Sequence, residues 1–246
     1  MATIHMILQG KGGVGKSFIA SLLTQYLLDK GHPTACFDTD PVNATFSSYK
    51  GFSVATVDVM EGDNINSRHF DTLIEELLPL PSEAHAVIDN GASTFIPLAS
   101  YIAENSIADF LTESGHSLNL HTVITGGQAE GDTIQGLNSL LRNFSAPVTI
   151  WVNPYFGAIK FKGHELEKEN YKRGGITLEL PTYRKETFIY NLETMLAKRW
   201  TFDEAINNPL FKAIEWQRFK IMKEHIWNLL DQTNFSKEVE VDDEKK

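Results

Sequence analysis

Thr3-Ile4-His5-Met6-Ile7-Leu8-Gln9-Gly10-Lys11-Gly12-Gly13-Val14-Gly15-Lys16-Ser17 is the stretch whose reading decides the fold. Through Leu8 it is short and apolar, as a buried strand should be. Gly10 to Ser17 then fits G-x-x-x-x-G-K-S/T, the phosphate-binding loop. Gly10, Gly12, Gly13 and Gly15 permit backbone angles that a Cβ forbids, so successive N–H groups can turn inward around phosphate oxygens. Lys16 brings a positive charge to the outer phosphates. Ser17 offers a hydroxyl to Mg²⁺ at the start of a helix whose N-terminus favours anions. From Phe18 to Lys30, Ile19, Leu22, Leu23, Tyr26 and Leu27 recur with helical spacing, so strand, loop and helix come in the required order. A flexible turn that merely ends in Lys-Ser lacks that context. The reading is a nucleoside triphosphate site over Gly10, Lys11, Gly12, Gly13, Val14, Gly15, Lys16, Ser17 and Phe18.

Composition sets the class. A chain of 246 residues, 42% hydrophobic, is long enough for one α/β domain with a full core and too apolar to be disordered. No stretch approaches the ~20 uninterrupted apolar residues of a membrane-spanning helix. The chain opens almost at once on its first strand, without a signal-peptide pattern, and a cytoplasmic location is expected. The single cysteine, Cys36, excludes an internal disulfide and lies in an apolar run that suits packing. One cysteine per subunit also disfavours an iron–sulfur cluster bridging two copies, since a four-thiolate cluster needs four. The formal net charge of −10 argues against a broadly basic nucleic-acid-binding surface, while leaving a local patch open.

Further along, Gly31-His32-Pro33 is a stop-and-turn signal, and Thr34 to Phe37 read as a second strand ending in Asp38-Thr39-Asp40-Pro41-Val42-Asn43-Ala44-Thr45. Two carboxylates leaving a parallel strand beside the phosphate loop stand where a metal and a water would need them. A short strand is expected at Val54–Val59, a turn at Glu61–Asn64, and a helix capped by Ser67 and running through Leu78. Ala84 to Ile88 form a third strand ending in Asp89. This is the Walker B arrangement, whose carboxylate holds Mg²⁺ through water. A helix is expected over Pro97–Thr112, a strand over Leu118–Ile124, a helix over Thr133–Phe144 and strands over Val148–Val152 and Ile176–Leu180. Phe161–Gly175 reads as a charged, exposed segment. His116 and His121, lacking a third ligand, read as structural. Terminal helices are expected over Thr187–Arg199 and Phe211–Leu230. The last has apolar Phe219, Met222, Ile226, Leu229 and Leu230 on one face, and domain packing is favoured over membrane attachment because an acidic segment follows. Residues 1–232 are expected to form the domain and 233–246 a disordered acidic tail.

Lys-Gly-Gly-Val-Gly-Lys-Ser, with its extra lysine at position 11, resembles the deviant phosphate loop of the ParA/MinD partition and cell-division ATPases. The Asp38–Thr45 segment resembles their first switch, with one residue fewer between Pro41 and Asn43. Added to these, Gln9, Gly62-Asp63-Asn64-Ile65-Asn66-Ser67-Arg68, Val87-Ile88-Asp89-Asn90-Gly91-Ala92-Ser93, His121–Gln128 and Val152-Asn153-Pro154 look like the TraL-type conjugal transfer proteins of bacterial plasmids. The resemblance implies a P-loop NTPase fold, a three-layer sandwich with a mostly parallel sheet and helices on both faces. It implies ATP and Mg²⁺ as ligands and an ATP-dependent homodimer in which Lys11 reaches the partner's nucleotide. By the same resemblance Asp40 orients the attacking water, Asp38 supports the metal site, and Asn153 and Pro181 hold the adenine. It further implies a protein partner in the plasmid transfer or positioning machinery. The sequence departs from the family after Asp89, where prolines are usual. An ATP-dependent ligase or small-molecule kinase on the same fold, and a binding module without turnover, stay open as alternatives.

Overall fold

The computed structural model describes residues 1–40 and 42–235. Its centre is a seven-stranded, wholly parallel sheet in the order β3-β2-β6-β1-β7-β8-β9. The strands are β1 (Ala2–Ile7), β2 (Thr34–Asp38), β3 (Ala55–Thr56), β6 (His85–Asp89), β7 (His116–Thr125), β8 (Val148–Asn153) and β9 (Ile176–Glu179). A separate small hairpin pairs β4 (Met60–Glu61) with β5 (Asn64–Ile65) around Gly62, whose φ of 61° suits a residue without a Cβ.

Alternation along β1 explains why both faces are covered. Ile4, Met6 and Leu8 join a core with α2 (Phe70–Leu77), α3 (Phe95–Glu104), α4 (Ile107–Glu113) and α5 (Glu130–Asn143). Ile7 faces the other way, into a core with α1 (Lys16–Asp29), α7 (Tyr190–Ala197), α8 (Phe202–Ala205) and α9 (Ala213–Leu230). The connections after β1 and β6 leave in opposite directions, toward β2 and β7. A crevice therefore opens at the carboxyl ends of the central strands.

Several expectations need correction. The strand near Val54 shrinks to two residues, because the chain turns at once into the hairpin. Asn66, not Ser67, accepts the capping bond (from Arg68 N), and one 3₁₀ turn precedes α2. The helix expected over Pro97–Thr112 divides into α3 and α4 at Ser106, which sits at φ 49°. Residues 161–175 are not merely an exposed segment. They contain α6 (Glu165–Lys172), which buries Asn170 so that its amide exchanges hydrogen bonds with the Val148 backbone at 2.9 and 2.7 Å. The helix expected from Thr187 begins as a π turn at Lys185–Ile189. Phe219, Met222, Ile226 and Leu230 of α9 pack on the domain, as expected. Thr233 and Phe235, assigned from sequence to the tail, are buried; the rest of that assignment, 236–246, lies outside the described residues. Among the described residues no helix is long and apolar enough to cross a membrane.

Three histidines on the α1 face link neighbouring strands. His5 Nδ1 lies 3.0 Å from His121 Nε2, and His5 Nε2 lies 3.0 Å from His85 Nδ1. Trp151 Nε1–H can only donate, and it reaches His121 Nδ1 at 3.1 Å. Neutral His121 then donates from Nε2 to His5, and His5 donates from Nε2 to His85. Phe235 packs against both His5 and His121. Burial lowers all three rings' basicity, with His121 brought to about 3 and His85 to about 4, so the chain is held neutral.

For these groups the folded pKa lies below the unfolded value near 6.5, so the unfolded state binds more protons. Their stabilisation is complete above pH 6.5 and is lost as pH falls toward 4. The buried carboxyls Asp38 and Asp89, whose values are raised, oppose this trend. Removing one histidine isolates its share. His85→Gln should make the pH dependence of urea-unfolding stability between pH 6.5 and 4 shallower, by up to about 1.4 kcal/mol per pH unit.

Candidate nucleotide site

The register of the sheet assembles the site. Asp38 of β2 pairs with Asp89 of β6, and Asp89 pairs with Ile7 of β1, so the two carboxylates and the start of the glycine loop share one row at the carboxyl end. Gly13 (φ 73°) and Gly15 (φ 108°) are left-handed, and Gly15 caps α1. A Cβ at Gly15 would meet Asn153 Nδ2 at 2.9 Å. Both positions need glycine for conformation, and Gly15 needs it for space as well.

The loop is anchored from below by a residue whose role its type did not announce. Gln9 is fully buried. Its Nε2 donates to Thr122 Oγ1, Val123 O and Thr133 O, and its Oε1 accepts from Lys11 N at 3.4 Å. Gly136 on α5 leaves it room, since a Cβ there would lie 2.2 Å from Gln9 Oε1.

Lys16, Ser17, Phe18, Asp40, Tyr49 and Arg199 are among the residues that line a cleft of about 590 Å³ above the loop. Lys16 Nζ donates to the Lys11 carbonyl at 3.2 Å, which folds the ammonium back over the loop. Burial lowers its basicity, while Asp89 and Asp40 act in the opposite direction. Asp89 lies at the floor. Burial pushes its carboxyl up to about 7 despite a hydrogen bond from Ser17. Asp89 Oδ1 is buried with no hydrogen-bond partner. An orphaned carboxylate oxygen beside a serine hydroxyl is a fitting donor pair for a hard divalent cation, which takes oxygen ligands.

Asp38 and Asp40 shape the loop that follows β2. Asp38 accepts from Asp40 N at 3.0 Å through Oδ1 and from Ser47 N at 2.9 Å through Oδ2. Both its oxygens are thus engaged with backbone, and it braces the loop instead of facing the cleft. Asp40 Oδ1 accepts from Val42 N and Asn43 N. Gly91 packs directly on it, and a Cβ there would lie 2.9 Å from Asp40 Cγ and 3.0 Å from its Cα. The departure after Asp89 has its own structural device. Asn90 accepts from Thr39 Oγ1 at 2.9 Å and donates to the Ile7 and Ile88 carbonyls, joining the ends of β2, β1 and β6.

Lys11 points to the outer face of the loop, half-exposed, and pairs with Asp132 on α5 at 2.8 Å. Asn153 donates to the Val14 carbonyl at 3.0 Å and accepts from Tyr155 N. Together with Pro181 it lines an apolar cavity of about 370 Å³ that runs from Gly13, Gly15 and Phe18 to Leu192 and Leu196. Val14 supplies that carbonyl and buries its side chain, and Gly10 and Gly12 pass close to Phe95 and Ala92. Gly13, Gly15 and Phe18 line both hollows, Lys16, Ser17 and Asp40 line the cleft, and Asn153 and Pro181 line the cavity, while Lys11 and Asp38 are engaged elsewhere. Sequence reading placed Gln9 and Asn90 in segments of resemblance without giving either a structural role, and it did not single out Asp132, Tyr49 or Arg199, which distant elements bring to the site. Among the described residues no group of three or more histidine, cysteine or carboxylate side chains is placed to hold a metal; His121 is hydrogen-bonded to His5 and Trp151, and His116 Nε2 lies 3.1 Å from the Leu78 carbonyl. Cys36 is buried and its thiol is pushed up to about 11.

Comparisons with known proteins agree with this geometry. The model of the CobQ/CobB/MinD/ParA nucleotide binding domain matches residues 5–214. Two curated proteins from Escherichia coli, each named Protein TraL, are 44% and 42% identical over 238 residues, covering 94% of this chain and 98% of theirs. The MinD chain of the Aquifex aeolicus MinC:MinD cell division complex superposes with a TM-score of 0.53 at 13% identity, over 92% of this chain and 96% of that one. MinD alone from the same organism gives 0.52 at 12% identity, over 92% of this chain and 97% of that one. Its parallel α/β sheet and glycine loop are those of a P-loop protein, and the chain belongs to the CobQ/CobB/MinD/ParA nucleotide-binding domain family.

Proposed function

We propose that this chain is an ATP-operated dimerisation switch that hydrolyses ATP slowly and serves plasmid transfer or plasmid positioning, within the cytoplasm. The observation that carries the reading is the convergence of Lys16, Ser17 and Asp40 on one cleft, with buried Asp89 hydrogen-bonded to Ser17 behind them. The role in plasmid biology draws on the likeness to TraL proteins. Gly10 to Phe18 cradle the phosphates, and Lys16 leaves the Lys11 carbonyl to meet them. Asn153 and Pro181 hold the base in the apolar cavity, with Asn153 exchanging the Val14 carbonyl for the adenine edge. Ser17 and Asp89 hold Mg²⁺, and Asp38 steadies the first switch behind them. When bound, Mg²⁺ neutralises developing charge on the β- and γ-oxygens. Asp40 orients the attacking water.

Dimerisation is supported by what is exposed. Val42 in the first switch is 74% accessible and Ile96, in the first turn of α3, is 71% accessible. Apolar side chains flanking a cleft suit a partner face. A second copy would bring Lys11 to the nucleotide as a cation in trans, provided Lys11 leaves Asp132. That exposed pair is worth ~1 kcal/mol or less, so its release is cheap. Protein partners in the transfer machinery would read the dimer.

A binding module without turnover is the competing reading, favoured by the engagement of Asp40 Oδ1 with the loop backbone. Light scattering and phosphate release separate the two. Wild type should dimerise with ATP·Mg²⁺ and not with ADP. Asp40→Ala should keep the dimer and lose turnover, whereas Lys11→Ala should lose the dimer and slow hydrolysis on the order of 10³-fold. Unchanged turnover in Asp40→Ala would establish the static module instead.

Two further outcomes follow from the geometry. Asp89→Asn should weaken ATP binding about tenfold in Mg²⁺ and little in EDTA, as read by titration calorimetry. Gly91→Ala should push Asp40 aside, so that turnover falls to the Asp40→Ala level while circular dichroism and nucleotide affinity stay as in wild type.

A further inference from the structure

The end of α7 is built with an unexpected residue. Arg199 follows the helix at φ 56°, in the left-handed region. Its N–H bonds Leu196 O at 3.0 Å, and Trp200 N bonds Met195 O at 3.1 Å. This double closure calls for a residue without a Cβ. The same chain uses glycine for it after α1, where Gly31 sits at φ 83° with Gly31 N bonding Leu28 O and His32 N bonding Leu27 O. A Cβ at Gly31 would meet nothing within 4 Å, so that site faces open space. Arg199 instead lines the phosphate cleft, together with Ser17 and Phe18. A large cation holds a position that glycine would fill with less strain.

What surrounds Arg199 explains the choice. Its Nη1 donates to the Leu196 carbonyl at 2.6 Å, which folds the side chain back along the helix end. Tyr49 lines the same cleft; burial raises its phenol, and the Arg199 charge acts against that shift. Among the described residues Arg199 forms no ion pair with a carboxylate. Leu196, whose carbonyl Arg199 holds, lines both the base cavity and the phosphate cleft. Arg199 therefore stands where base and phosphates meet. A planar, permanently charged fork at that junction suits phosphate oxygens.

We propose that Arg199 is a nucleotide-binding residue contacting the phosphate nearest the ribose, and that its place at the end of α7 exchanges helix-end stability for affinity. The proposal rests on the reading of the cleft as a nucleotide site. Contact with that phosphate makes ATP and ADP equally dependent on Arg199, unlike Lys11 or Asp40, which serve the far end.

The test uses the full chain with Arg199→Gly and Arg199→Lys, titrated with ATP·Mg²⁺ and ADP·Mg²⁺, with melting temperatures measured without nucleotide. Arg199→Gly should melt at or above the wild-type temperature, while both dissociation constants rise about tenfold and by the same factor. Arg199→Lys keeps the backbone strain and a point charge without the fork. It should melt near wild type and bind with intermediate affinity. Wild-type affinity for both nucleotides in Arg199→Gly overturns the inference, as does a loss confined to ATP. If the wild-type chain binds neither nucleotide, the cleft reading fails and takes this inference with it.

Discussion

Taking a carboxylate out of water and leaving one of its oxygens without a partner is costly, and Asp89 is held that way at the floor of the crevice. The parallel ladder keeps it there. β6 is paired on both sides, by β1 and β2, so Asp89 cannot swing toward solvent without breaking the centre of the sheet. Lys16, Ser17 and the two loops after β2 and β6 are arranged about that fixed group. A site with unmet electrostatic demand in its empty form gains the most when cation and polyanion arrive together.

Rigidity beneath the site comes from buried polar side chains that join strands. Gln9 ties the glycine loop to β7 and α5, and Asn90 ties the ends of three strands. The His121–His5–His85 chain crosses the sheet lower down. Each group is satisfied, so these networks specify register without leaving polar atoms stranded. Above them the loop after β2 hangs on Asp38, and Asp40 packs against Gly91.

The cations are placed with different freedom. Lys16 is buried and folded onto the loop, Arg199 is fastened to the end of α7, and Lys11 is half-exposed on a surface aspartate. This gradient of restraint matches the proposed division of labour between groups that bind in cis and one that must travel to a partner.

Much of the fold was legible because its signals are local. The apolar run into Leu8, the glycine spacing, the helical period from Ile19 to Leu27 and the aspartates ending β2 and β6 each fix a conformation within a few residues. Where tertiary packing overrides local preference the reading failed, as at Ser106, which breaks one expected helix into two, and in α6, whose charged sequence conceals the buried Asn170. The sequence by itself determined the strand–loop–helix order and the place of the glycine loop with Lys16 and Ser17 at its end, because spacing along the chain is enough to specify them. Only the tertiary structure decided that His5 meets His121 and His85, that Asp132 holds Lys11, that both oxygens of Asp38 serve the backbone, and that Arg199 faces the cleft. Those contacts join residues scores of positions apart, and the sheet register and helix docking that bring them together are not encoded in any local period.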